Sequence, residues 1–275
     1  MTVHASAARL LAGALVLSCL ALATPALAQT PDTVFLEELT WTELRDLVHA
    51  GKTTAIIPIG GTEENGPQMA LGKHNVRVKI LSERIARRLG NAIVAPVIAY
   101  VPEGNINPPT GHMRFPGTIT ISESAFEDTL EGAASSMKAA GFRDIVFLGD
   151  HGGYQRLDEI VADRLNRRWA KSEVRAHAIH EYYRASYEGF NRILAEHGFS
   201  KAEIGTHAAL ADTSLLLAVA PSLVRQDLLK SGRKFGPKDG VYGDPSKSSA
   251  ALGQLGIRSI IERTVAAIKE AVARR

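Results

Sequence analysis

Histidines gather with carboxylates, with glycines or with both in four short stretches of this sequence. The first runs from Pro58 through Gly60, Gly61, Glu63, Glu64, Asn65, Gly66 and Pro67 to Lys73 and His74. The second is Gly149, Asp150, His151, Gly152 and Gly153. The third joins Thr206, His207 and Ala208 to Asp212, Thr213 and Ser214, and a fourth holds Gly111, His112, Arg114, Phe115, Pro116, Gly117 and Thr118. Imidazole and carboxylate are the groups that hold Zn²⁺, Fe²⁺ or Mn²⁺ where no thiolate competes. An imidazole also suits proton transfer, because its ordinary pKa lies near neutrality. Each residue has an ordinary structural use as well. Glu63 can cap the turn after it, Asp212 can be the N-cap of a helix over 213–219, His74 can sit at a helix start on the surface, and His207 can bond to backbone. Together they fit metal-ligand chemistry, with Asp150 behind His151 to orient its ring. His112 and Arg114 can line a pocket, Arg114 as a holder of a substrate carboxylate, or they can brace their loop.

Short apolar runs alternate with amphipathic helical stretches, the pattern of a largely parallel sheet covered by helices. Strands are predicted at 54–59, 92–97, 144–148 and 174–179. Helices are predicted at 75–89, with Val76, Ile80, Ile85 and Leu89 on one face, and at 122–140, with Phe126, Leu130, Ala133 and Met137 inward. Ser124 and Glu127 have capping-box spacing. A further helix carries Leu157, Val161, Leu165 and Trp169, and a last one from about 251 carries Ile257, Ile261, Val265, Ile268 and Val272. Two predicted strands end in loops with glycine, carboxylate and histidine. Ligands of open α/β sheets bind beyond the carboxyl ends of the strands, so both loops face the same side.

At these residues the chain resembles the creatininase family (creatinine amidohydrolase and its relatives). The stretch from Pro58 to His74 follows the family pattern P-x-G-S-x-E-Q-H-G-P-H-L-P-L-x-x-D with the same spacing. His151, Gly152 and Gly153 match its N-G-H-G-G-N. His207 and Ala208 with Asp212, Thr213 and Ser214 resemble H-A-G-x-x-E-T-S, and Phe115 to Thr118 match F-P-G-T with His112 upstream. The likeness covers about residues 35 to 270, with four motifs in the family order.

The resemblance implies a three-layer α/β/α sandwich with a metal-dependent hydrolytic site at the strand ends. Carried over by position, Glu63, His74, His151 and Asp212 are the implied metal ligands. His207 is the implied proton-transfer group, with Glu64 the next candidate. The chain departs from the pattern at two of these places: Asn65 stands where the family has a histidine, and His74 where it has a metal-bridging aspartate. A neutral imidazole has one available lone pair and does not bridge as a carboxylate does. The creatininase enzyme also has a carboxylate at the position of Gly153. One divalent ion is therefore expected, as Zn²⁺, Fe²⁺ or Mn²⁺. The implied reaction is cleavage of a C–N bond in a small cyclic or linear amide. Creatinine itself is disfavoured, since that enzyme places tryptophans around its site and the two here are Trp41 and Trp169. A noncatalytic periplasmic binding protein on the same fold, or a metal-dependent lactonase or isomerase, are the competing readings. The family also implies a homo-oligomer, commonly a hexamer.

The first 28 residues read as a secretory signal peptide: Arg9, an apolar run over 10–23, Pro25, and Ala26-Leu27-Ala28 before Gln29. The run falls short of the about 20 residues a spanning helix needs. The one cysteine, Cys19, lies inside it. Cleavage after Ala28 leaves a periplasmic or secreted chain, 29–275, with no thiol and no disulfide. About 250 residues suffice for one α/β domain. A formal charge of +3, without a basic stripe, argues against nucleic acid as a partner.

Overall fold

The computed structural model describes residues 31–274; the predicted signal peptide, with Cys19, lies outside the described residues. The chain forms α1 (Trp41–His49), β1 (Thr54–Ile59), α2 (Lys73–Leu89), β2 (Ala92–Val94), α3 (Glu123–Ala139), β3 (Asp144–Gly149), α4 (Gln155–Arg168) and β4 (Arg175–Ala178). Then follow α5 (Glu181–Arg184), α6 (Phe190–Glu196), α7 (Lys201–Ile204), α8 (Leu210–Val219), α9 (Gln226–Lys230) and α10 (Ala250–Ala273). A π-helical stretch, Ala185–Gly189, joins α5 to α6.

The four strands are parallel in the order β2-β1-β3-β4. Alternation of side chains across a strand splits the core in two. Ile56, Val94, Val146 and Leu148 pack with Val78, Leu81 and Ile85 of α2, Leu215 of α8 and Ile257 and Ile260 of α10. Ala55, Ile57, Ile59, Ile145 and Phe147 pack with Phe126 and Leu130 of α3 and with Leu157, Val161 and Leu165 of α4. This is the expected α/β/α sandwich. Strand order reverses at β1, which has β2 on one side and β3 on the other, so the crevice beyond the carboxyl ends of β1 and β3 is the place for a site.

Several local expectations need correction. β2 is shorter than 92–97, because Pro96 has no N–H for the ladder; pairing resumes as a single bridge between Ile59 and Ile98. Ser122, not Ser124, caps α3, accepting from the Ala125 N–H at 3.2 Å. α8 starts at Leu210, which puts Asp212 inside its first turn rather than at its cap. The inward face of α2 is also rotated from the predicted stripe. It is formed by Lys73, His74, Arg77, Val78, Leu81 and Ile85, whereas Val76 and Ile80 are only half-buried.

Candidate active site

Three strand-end loops and two later segments converge. The loop after β1 brings Glu63 and Glu64, the loop after β2 brings Glu103, and the loop after β3 brings Asp150 and His151. α2 begins with Lys73 and His74, and His112 and His207 close the group. Backbone polar groups fix the loops: Tyr154 Oη donates to the carbonyls of Ile59 and Gly60 at 2.8 and 2.6 Å and accepts from the Asp150 and His151 N–H groups at 3.1 Å. His207 is held by an antiparallel bridge to Tyr242. Ala208, next to it, takes a left-handed φ of 53°, a conformation a non-glycine residue holds only when its surroundings enforce it. Here Gln68 Nε2 donates to its carbonyl at 2.6 Å, and its N–H donates to Asp212 Oδ2 at 3.1 Å.

Glu63 is the centre of the cluster and is fully buried. Its Oε1 lies 2.7 Å from His74 Nε2 and 3.2 Å from Lys73 Nζ. Its Oε2 lies 3.2 Å from His112 Nε2 and 3.4 Å from His151 Nε2 but accepts no hydrogen bond. Burial pushes the Glu63 carboxyl up, and the charges of Lys73, His74 and His151 outweigh it, holding the group well below the usual range. Glu103 has the opposite balance. Burial, then the Glu63 charge, push it up to about 9, and neither of its oxygens accepts a hydrogen bond. Burial together with neighbouring cations pushes His151 down to about 3, against the pull of Glu63. Glu64 is held at about 2: burial raises it, but hydrogen bonds from His112 and His207 prevail.

The predicted residues divide as follows. Glu63 and His151 come together, with His112 and Glu103 completing a set whose ligand atoms all lie within 4.8 Å of one another. Glu64, His112 and His207 form a second such set. His74 is buried beside Glu63, but each ring nitrogen already faces a carboxylate, Glu63 on one side and Asp150 Oδ1 at 2.5 Å on the other. Asp212 belongs to neither set; it pairs with Lys73 Nζ at 3.4 Å and Arg77 Nη1 at 3.1 Å. Asp150 orients His74 and is itself held by Arg77 Nη2 at 2.6 Å and Tyr182 Oη at 2.5 Å. Asn65 is a brace, donating to the carbonyls of Glu63 and Ala70 at 2.9 and 3.3 Å. Arg114 is exposed and lines an outer cavity of about 400 Å³ with Glu64, His112, His207 and Tyr242. His112 and His207 also line an inner cavity of about 160 Å³, with Lys73, His151, Tyr183 and Asp212. Neither tryptophan lines either cavity.

Sequence reasoning missed Glu103, Lys73 and Arg77. The signal for Glu103 is positional: it is the first carboxylate after β2, as Glu63 is after β1 and Asp150 after β3. Buried carboxylate oxygens without a donor, in reach of two imidazoles, fit a divalent cation of the kind held by nitrogen and oxygen ligands.

The α/β/α sandwich thus carries a buried carboxylate–imidazole cluster that could hold a metal ion at the carboxyl ends of its parallel strands, where open α/β sheets bind ligands. A family profile described as creatinine amidohydrolase matches residues 37–268. The chain belongs to the creatininase family, and by that membership it is an enzyme of the amidohydrolase class. It is 28% identical over 228 residues to creatinine amidohydrolase of Pseudomonas putida, which covers 79% of this chain and 85% of that protein. It is 26% identical over 228 residues to a mycofactocin precursor peptide peptidase of Mycolicibacterium smegmatis (75% of this chain, 81% of the other). Among solved structures, a creatinine amidohydrolase superposes with a TM-score of 0.73 at 23% identity, covering 88% of this chain and 98% of the other. A structure described as a manganese creatininase superposes at 0.69 with 24% identity, covering 87% and 98%. A mutant creatininase of zinc–zinc type superposes at 0.70 with 24% identity, covering 88% and 99%.

Proposed function

We propose that this protein is an exported, metal-dependent amidohydrolase that cleaves a C–N bond of a small cyclic or linear amide. The observation that carries the reading is the buried Glu and His cluster around Glu63 and His151, opening onto a cavity of only about 160 Å³ with His207 on its wall. That volume lies below the several hundred Å³ typical of drug-sized ligand pockets, which favours a small substrate or the small end of a longer one. A divalent ion at the cluster supplies Lewis-acid polarisation of a carbonyl and lowers the pKa of water.

The chain's own groups supply the rest. His207 Nε2 lies 3.0 Å from the Glu64 carbonyl oxygen. A carbonyl only accepts, so this bond places the proton on Nε2 and leaves the Nδ1 lone pair on the side of Glu63, 3.8 Å from its Oε1. His207 is thereby set to take a proton at Nδ1 and return it to the leaving nitrogen. Lys73 places its Nζ on the cavity wall between Glu63 and Asp212, where it favours negative charge building on the substrate oxygen.

The test is metal analysis of the purified mature protein after dialysis, beside a screen of small amides and lactones. One transition ion per chain with amide turnover is the expected result. Absence of metal would instead support a binding protein, and turnover of lactones alone would support a lactonase. Export is tested separately by N-terminal sequencing of protein from the periplasmic fraction. A mature terminus at Gln29 is expected, and a retained leader or a lipid-modified Cys19 would refute it.

A further inference from the structure

We infer that Glu103 is a metal ligand, so that the ion is held by Glu63, Glu103, His112 and His151 rather than by His74 and Asp212. The inference rests on the metal-dependent reading above and assigns its ligands.

Three buried carboxylate oxygens in this pocket accept no hydrogen bond: Glu63 Oε2 and both oxygens of Glu103. A buried acceptor without a donor is destabilising, so three of them side by side mark a place where something else supplies positive charge. Glu103 is 5% exposed and its Oε1 lies 3.7 Å from His151 Nδ1. Space for it is built into the β1 loop. Gly61 has φ +146°, and a Cβ there would stand 2.7 Å from Glu103 Oε1. A side chain at position 61 would crowd the carboxylate where it now lies.

The ligand atoms of Glu63, Glu103, His112 and His151 lie within 4.8 Å of one another. Two ligands on a common ion sit at most about 4.2 Å apart, twice the usual bond length. A contraction of under about 1 Å therefore closes the set. His112 is already turned for this. Its Nδ1 lies 3.0 Å from Glu64 Oε1, and its Nε2 faces Glu63 Oε2. A carboxylate on one ring nitrogen fixes the tautomer that leaves the other free for a metal.

The alternatives are occupied. Glu64 Oε1 takes His112 and its Oε2 takes the Gly66 N–H at 3.2 Å. The oxygens of Asp212 take Arg77, Lys73 and the Ala208 N–H. Both nitrogens of His74 face carboxylates. Glu103 thus supplies, from the loop after β2, a carboxylate that Gly153 does not.

The test is titration of chelator-stripped protein with Zn²⁺ and with Mn²⁺, reading bound metal and the metal-induced rise in Tm. Removal of a group that merely supports a ligand costs 10–100-fold in metal affinity, so Glu103→Gln is expected to lose about 100-fold or more, as Glu63→Gln does. Asp212→Asn is expected to bind as the wild type. The melting temperature of apo Glu103→Gln should equal or exceed that of the apo wild type, since a buried unpaired acid becomes a neutral amide. Should Glu103→Gln not fold, Glu103→Asp keeps the charge but draws it back by one methylene and should bind more weakly. Wild-type affinity in both Glu103 variants overturns the inference, as does loss of the ion in Asp212→Asn. A wild type that binds metal and hydrolyses amides while Glu103→Gln keeps the ion leaves the proposed function standing and removes only this assignment. A wild type that takes up no metal removes both.

Discussion

His207→Ala is expected to keep its metal and lose roughly 10²–10⁴ in turnover, the usual share of general acid–base catalysis. Glu63→Ala and His151→Ala are expected to lose metal and activity together. The difference follows from what each side chain touches. Glu63 Oε2 and His151 Nε2 lie 3.4 Å apart inside the cluster, whereas His207 is tied by Nε2 to the Glu64 backbone and stands 3.8 Å from the other Glu63 oxygen. Metal content and turnover measured on the same preparations decide the matter. If His207→Ala sheds the ion as fully as His151→Ala, His207 is a ligand. If it keeps both metal and full turnover, the proton carrier is elsewhere, and Glu64 is next in line, since it forms one contiguous set with His112 and His207. A Glu64 substitution is a less clean probe. Glu64 holds His112 and the Gly66 turn, so its loss disturbs the His112 ring and a loop at once.

The apolar framework was legible because it obeys two periods. The predicted stripes of α3, α4 and α10 are inward in the structure, including Phe126, Leu130, Leu157, Val161, Leu165, Ile257 and Ile268, and the four strands were found within a few residues. The motif residues Glu63, His151, His112 and His207 were legible through residue type and order. What escaped was charge placed where apolar residues are expected. The predicted inward stripe of the 75–89 helix, through Val76 and Ile80, leaves out Arg77, and Lys73 lies before that predicted helix, yet Lys73 and Arg77 are 1% and 2% exposed. Arg77 is buried against Asp150 and Asp212, 73 and 135 residues away along the chain, and Lys73 against Glu63 and Asp212; apolar periodicity encodes none of these partners. His74 shows the same dependence on distant partners. Its position in the motif points to a ligand, and in the fold its two ring nitrogens face Asp150 and Glu63. Glu103 escaped because a lone glutamate between Pro102 and Gly104 looks like an ordinary loop residue; only the return of the chain past Gly61 shows where it lies.

Arg77→Met is expected to cost about 3–5 kcal/mol of folding stability, the range found when one partner of a buried ion pair is removed. The guanidinium is the hub of the layer beneath the cluster. Its Nε lies 2.9 Å from Asp150 Oδ1, its Nη2 lies 2.6 Å from the same oxygen, and its Nη1 reaches Asp212. Without it Asp150 stays fully buried, with Tyr182 and His74 as its other side-chain partners. Natural domains have only about 5–15 kcal/mol to lose, so the variant should unfold at a markedly lower denaturant midpoint. Adding Asp150→Asn should restore part of the loss, because the second change removes the stranded charge; a double mutant no more stable than Arg77→Met would contradict the pairing. Acid makes the same point in the wild type. Burial pushes Asp150 up, but Arg77 and His74 prevail and hold it below its ordinary value; Lys73 and Arg77 likewise hold Asp212 well down. A carboxylate depressed in the folded state binds fewer protons there than in the unfolded chain. Its stabilisation is therefore fully present above the unfolded pKa, near 4, and drains away as pH falls below that value toward the folded pKa. Denaturation curves collected from pH 7 down to pH 3 should show stability falling over the acid end. In the double mutant, with Asp150 no longer titrating and Asp212 released from Arg77, that slope should be shallower. An unchanged slope would place the acid sensitivity in other carboxylates, Glu64 first among them, since it too is held low, at about 2.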